Sequence, residues 1–169
     1  MCDDWDIVVN VDGDDWFAHP LVLQKINKVY QDPNVWITWG QFKHWPKAKI
    51  GGCRPMLNTH NVRKDAWISS HLRTFYAWLF KKIDIRDLLD ESGEFIYAAA
   101  DFAIMMPMLE MAGPEHRKFI PDILYIYNRA NALNVNKVNK ERVQNCSKFI
   151  RSKKPYEELQ IIKKNPHIR

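Results

Sequence analysis

Apolar and polar positions divide the chain into segments of two periods. Ile7 to Val11 is a run of β-branched residues broken by Asn10, and it closes on Asp12-Gly13-Asp14-Asp15, which predicts a buried strand opening into an acidic turn. His19-Pro20 then puts proline in a first helical turn, and Val22, Ile26, Val29 and Tyr30 supply the apolar stripe of a helix ending near Asp32-Pro33. Val35, Ile37 and Trp39 alternate with Trp36 and Thr38, so Val35 to Phe42 predicts a strand beside the first. Ser69 and Ser70 can cap a helix whose stripe is Leu72, Phe75, Tyr76, Leu79, Phe80 and Ile83, with Lys81 and Lys82 where cations suit the dipole. A second long helix is expected from Asp101 to Ala112, stopped by Gly113-Pro114, followed by a third strand over Lys118 to Asn128. This order predicts an α/β fold: a mixed, mostly parallel sheet flanked by helices.

Between these segments, His44 to Val62 is rich in Pro, Gly, Lys and Asn without a sustained period. It predicts a long loop with room for a short strand, and loops of this length are often functional. After Asn128 the pattern breaks, and only Glu141 to Ser152 regains helical spacing.

Composition places the chain among folded domains. Of 169 residues, 46% are hydrophobic and seven are tryptophan, far from the signature of disorder. The net charge of +5 is unevenly held: Lys137 to Arg169 carries ten Lys/Arg against three Glu, leaving 15 basic and 17 acidic residues before it. We therefore divide the chain into a body, 1–136, and a basic tail, 137–169. The tail suits an anionic membrane surface or an acidic partner, or is simply solvated; nucleic acid is not expected, because no dense aromatic interleaving accompanies the charge. Three separated cysteines without a zinc-site spacing, and no charge-free stretch of membrane-spanning length, lead us to expect a cytoplasmic protein.

Candidate chemistry concentrates at the acidic turn. If the chain stays extended past Val11, Asp12 and Asp14 point the same way, and two hard oxygen donors suit Mg²⁺ or Mn²⁺. The alternative is that these are turn and cap residues. Asp101 sits between Ala98-Ala99-Ala100 and Phe102-Ala103-Ile104, where an ionised carboxylate needs a partner or a raised pKa; it is either a general base or a helix cap. His71 and Arg73 start the expected Ser70 to Lys82 helix off its apolar stripe. There Arg73 either forks onto a phosphate or carboxylate or is solvated. Trp39, beside Gly40-Gln41, is a stacking face for a sugar or base, or a core residue.

The run Asp6-Ile7-Val8-Val9 through Val11-Asp12-Gly13-Asp14-Asp15-Trp16, the Trp39-Gly40-Gln41 strand end and the late isolated Asp101 resemble family 2-like glycosyltransferases of the A-type fold. The resemblance implies a partial fold of that type. It implies that Asp12 and Asp14, as the Asp-x-Asp motif, hold Mn²⁺ or Mg²⁺, that Asp12, Asp15, Trp39 and Arg73 contact a nucleoside-diphosphate sugar, and that Asp101 deprotonates an acceptor hydroxyl. The implied function is a metal-dependent inverting glycosyltransferase, or its C-terminal portion, acting on a carbohydrate or other hydroxyl acceptor. Only eleven residues precede Asp12, so the resemblance also implies a second chain or upstream segment that completes the nucleotide site. Two other readings of the residues stay open. One is a noncatalytic module docking through the basic tail, and the other is a phosphohydrolase with Asp12 as nucleophile.

Overall fold

A five-stranded sheet organises the molecule, and its order places the middle of the chain at the centre. The computed structural model describes residues 2–133 and 138–160. In sequence the elements are β1 (Ile7–Asn10), β2 (Trp16–Phe17), α1 (Val22–Val29), β3 (Ile37–Trp45), β4 (Ser70–Tyr76), α2 (Ala77–Phe80), a 3-10 turn (Ile85–Leu88), α3 (Ala100–Ala112), β5 (Arg117–Asn128) and α4 (Lys140–Ser152). The strands pair in the order β1-β4-β3-β5-β2. The fold is α/β and the sheet is mixed. It is not mostly parallel: only β3 and β5 run parallel, while β1 with β4, β4 with β3 and β5 with β2 are antiparallel.

The largest departure from expectation is β4. Its residues Leu72, Phe75 and Tyr76, with Leu79 and Phe80 beyond, carry a helical spacing, yet Ser70–Tyr76 is extended and lies between β1 and β3. The reason is two-sided burial. Every residue from His71 to Tyr76 is buried, so the strand has no solvent face to impose a period of two. A consequence is that β1 and β3 are separated by β4 rather than adjacent.

Alternation along β4 then sorts its side chains between two layers. Thr74 meets α1: the Tyr30 hydroxyl lies 2.9 Å from Thr74 Oγ1, which lies 2.6 Å from Thr38 Oγ1, so three buried hydroxyls satisfy one another. His71 and Arg73 face the opposite way, where Arg73 reaches Asp101 on α3. Met105, Met106, Met108 and Leu109 of α3 are fully buried against the sheet side of the core. At Gly40 the β3 ladder shifts register, and a Cβ there would come within 3.1 Å of the Leu72 backbone nitrogen. Strand β3 and its neighbour β4 approach so closely that a side chain there requires the β4 backbone to give way by a few tenths of an ångström.

The described part of the basic segment packs on the body. Ile150 of α4 is buried, and the Leu159 N–H donates to the Met111 carbonyl. Arg63 supplies the main tie. It forks onto Glu110 at 2.5 and 2.9 Å and donates to the Ile150 carbonyl at 2.6 Å, with both charged side chains at most 10% exposed. Residues 134–137 and 161–169, which carry the rest of the expected tail, lie outside the described residues.

Candidate functional site

The acidic turn begins where β1 stops. Beyond Asn10 the chain bends rather than continuing extended, and the Asp15 N–H closes the turn onto the Asp12 carbonyl at 3.1 Å. Asp12 and Asp15 are therefore the pair whose carboxylates converge, together with His71 of β4: one ligand atom from each of the three lies within 4.8 Å of the others. Asp14 turns to Asn131, whose side-chain amide donates to it at 2.5 Å. The turn is fastened to β5. The Asp12 N–H donates to the Tyr125 hydroxyl at 3.0 Å, and Asp15 accepts from the Asn128 N–H at 2.7 Å.

Arg73 is the hub. Its Nη2 lies 3.2 Å from Asp12 and 3.0 Å from His71 Nδ1, and its Nη1 lies 3.1 Å from Asp101. The guanidinium is nearly inaccessible, whereas the Asp12 and Asp101 side chains are 43% and 30% exposed. Two carboxylates far apart in sequence, Asp12 and Asp101, thus share one cation and still present oxygen atoms to solvent. Asp101 lies in the first turn of α3 and does not cap it; that position belongs to Ala99, held in the left-handed region at φ 62°. A non-glycine residue there costs about 1 kcal/mol. The partner that an ionised Asp101 required is Arg73.

Charges in the cluster are unevenly compensated. Burial pushes the Asp12 carboxyl above its ordinary range, Arg73 pulls against it, and Asp15, Asp101 and Asp14 add to the rise. Burial also raises Asp15, against the Asn128 N–H bond. Its Oδ2 is buried without a hydrogen-bond partner. Both groups would ionise more readily beside a further cation. His71 is buried and beside Arg73, which together push its pKa down to about 2, so the ring is neutral. Its Nδ1 accepts from Arg73, and the proton consequently sits on Nε2, which faces Asp12 at 3.8 Å. In this hydrogen-bond pattern His71 is a donor toward the cluster, and the oxygens of Asp12 and Asp15 are the ligands for a hard divalent cation.

Apart from Asp15, these groups line a cleft of about 550 Å³ whose walls include Asp12, Asp14, His71, Arg73, Asp101 and Tyr127. Trp67 stacks on Phe102 at its edge, with centroids 4.3 Å apart. Trp39 is not in this wall. It is 1% exposed, with its indole N–H donating to the Arg54 carbonyl, so its ring is a core surface and not a stacking face. Tyr125, Tyr127 and Asn131 are additions that the sequence did not flag. Their signal lay in the strand pattern of β5, but their role follows only from its placement beside the acidic turn.

No protein-family model matches this chain, and no curated protein matches its sequence. Among the described residues, no helix is long and apolar enough to cross a membrane.

Proposed function

We propose that the cleft is the metal- and donor-binding side of an inverting glycosyltransferase, acting from a nucleoside-diphosphate sugar onto an acceptor hydroxyl. One observation carries the reading: Asp12, on which Asp15 converges, and an isolated acid, Asp101, open onto the same cleft and are joined through Arg73. A divalent cation held by Asp12 and Asp15 supplies charge neutralisation to a departing diphosphate. Arg73, buried behind Asp12 and Asp101, adds a fixed positive charge beside the cleft that favours the diphosphate. Asp101, half-exposed and aimed into the cleft, accepts the proton of the incoming hydroxyl. A single displacement of this kind inverts the anomeric centre. Asp14 and Asn131 order the turn beside the pair rather than completing it. We place the reaction in the cytoplasm, in keeping with three unpaired cysteines.

The test is calorimetric titration with Mn²⁺, alone and with a nucleoside-diphosphate sugar. Wild-type protein binds the ion and binds the sugar nucleotide more tightly in its presence. Asp12→Asn and Asp15→Asn lose the ion, while Asp14→Ala keeps most of its affinity. Unaltered Mn²⁺ binding in both Asp12→Asn and Asp15→Asn removes the basis of the reading.

A further inference from the structure

A second cavity, of about 480 Å³, lies at the far end of β3, and its lining is wholly basic apart from one proline: His44, Pro46, Lys47, Lys49 and Arg129. Backbone hydrogen bonds build it. The His44 N–H donates to the Lys49 carbonyl at 2.7 Å and the Gly51 N–H to the Phe42 carbonyl at 2.9 Å, closing a hairpin whose turn presents Lys47 and Lys49. The Arg129 N–H donates to the Trp45 carbonyl at 2.9 Å, which brings the end of β5 against the same turn. Arg129 also lies over the ring of Tyr127, and Tyr127 packs against His44 with centroids 5.6 Å apart. Tyr127 itself lines the main cleft, so the second cavity's His44 and Arg129 lie beside a residue of that cleft.

We propose that this cavity is a binding site for a phosphate group. Two lysines and an arginine converge without a carboxylate in the lining, and like charges gathered in this way call for a multiply charged anion. His44 reports the same field. Its Nδ1 is buried without a hydrogen-bond partner, and burial together with Arg129 and Lys49 holds its pKa below the ordinary value. A phosphate dianion in the cavity reverses the sign of the local field at the His44 ring, which favours the protonated imidazole. The site is separate from the carboxylates of the main cleft and stands whether or not they serve glycosyl transfer.

The experiment titrates the intact chain with inorganic phosphate, glucose 6-phosphate and uridine diphosphate in metal-free buffer, with glucose as the uncharged control. Calorimetry gives affinity, and the His44 ring resonances give its titration midpoint. Phosphate-bearing probes are expected to bind and to move that midpoint up by about one pH unit, while glucose does neither. Lys47→Glu with Lys49→Glu, both in an exposed turn, should weaken binding by at least about tenfold with an unchanged circular dichroism spectrum. Equal affinity for all three probes, lost in the double variant, assigns the site to the phosphate alone; tighter uridine diphosphate binding assigns it to a nucleotide only where the double variant loses that excess, and an excess that the double variant keeps belongs to the main cleft and overturns the proposal for uridine diphosphate. A stationary His44 midpoint, or undiminished binding by the folded double variant, overturns it. Asp12→Asn, which tests the main cleft, should leave phosphate binding here unchanged, so the two readings fail separately.

Discussion

Acidification should destabilise this fold through one side chain, His71. Buried between Tyr125, on which it stacks at 4.4 Å, and Arg73, its ring is neutral in the folded state with a pKa of about 2 against an ordinary value of 6.5. Below 6.5 the unfolded chain takes up a proton that the folded chain refuses. Stability therefore falls as pH falls through 6.5 and continues to fall toward the folded value. At about pH 5 this single group removes about 2 kcal/mol relative to about pH 7.5. His44 and His60, whose pKa values are also lowered by burial, and the carboxylates contribute their own slopes. The comparison must cancel them. His71→Gln does so, because the amide oxygen can still accept from Arg73 but does not titrate. Urea unfolding of both proteins at the two pH values should give a wild-type loss about 2 kcal/mol larger than that of the variant, whatever the variant costs at neutral pH. Equal losses would mean that His71 ionises within the fold, and the assignment of its proton to Nε2 would fall with it.

Three further outcomes follow from named contacts. Arg73→Met removes a unit charge beside Asp12, so Mn²⁺ alone should bind about tenfold tighter, while a nucleoside diphosphate, deprived of the guanidinium, should bind more weakly by calorimetry; parallel changes in both would contradict the separate roles given to Arg73 and the carboxylates. Arg63→Ala leaves Glu110 buried without its cation and frees α4 from the Ile150 carbonyl, and should cost about 3–5 kcal/mol in urea unfolding, with amides of α4 exchanging first. Gly40→Val forces a side chain toward the Leu72 backbone and should lower the melting temperature by several degrees even though valine favours strands, whereas a neutral effect would show that β3 and β4 can separate.

What the sequence disclosed and what it hid have different physical origins. β1, β3, β5, α1, α3 and α4 stand close to their expected positions, because each has either one wet face or a clear stop such as Gly113, which takes φ 59° at the end of α3. The sequence predicts a helix where β4 stands because both faces of the strand are dry, and the chance spacing of Leu72, Phe75, Tyr76 and Leu79 fits a 3.6 period as well as a strand continued by a single helical turn. A helix there would put His71 and Arg73 at its start instead of on a strand inside the sheet. Their true strand places both on the α3 side, where Arg73 meets Asp101 across 28 positions of sequence, a pairing that no local pattern encodes. The acidic turn is legible as a cluster of carboxylates but not in its register. A backbone hydrogen bond from Asp15 to Asp12 bends the chain, so the converging pair is three residues apart instead of two. Trp39 offers no sequence signal to separate stacking from burial, and only the fold shows its ring buried with the indole N–H on the Arg54 carbonyl.

The central claim is that the carboxylates on the two sides of Arg73 divide the work of one reaction. Its most direct measurement follows the anomeric proton signals of a nucleoside-diphosphate sugar by NMR, with Mn²⁺ and an acceptor alcohol present, for wild-type protein, Asp12→Asn and Asp101→Asn. The account predicts loss of the donor signal and appearance of product with inverted anomeric configuration. It further predicts that Asp12→Asn loses ion binding and turnover together, while Asp101→Asn still binds the ion and donor but turns over at least about a hundredfold more slowly. Turnover that is independent of Mn²⁺ and unaffected by either substitution, or a donor left intact by the wild-type protein under conditions where it is bound, would contradict it.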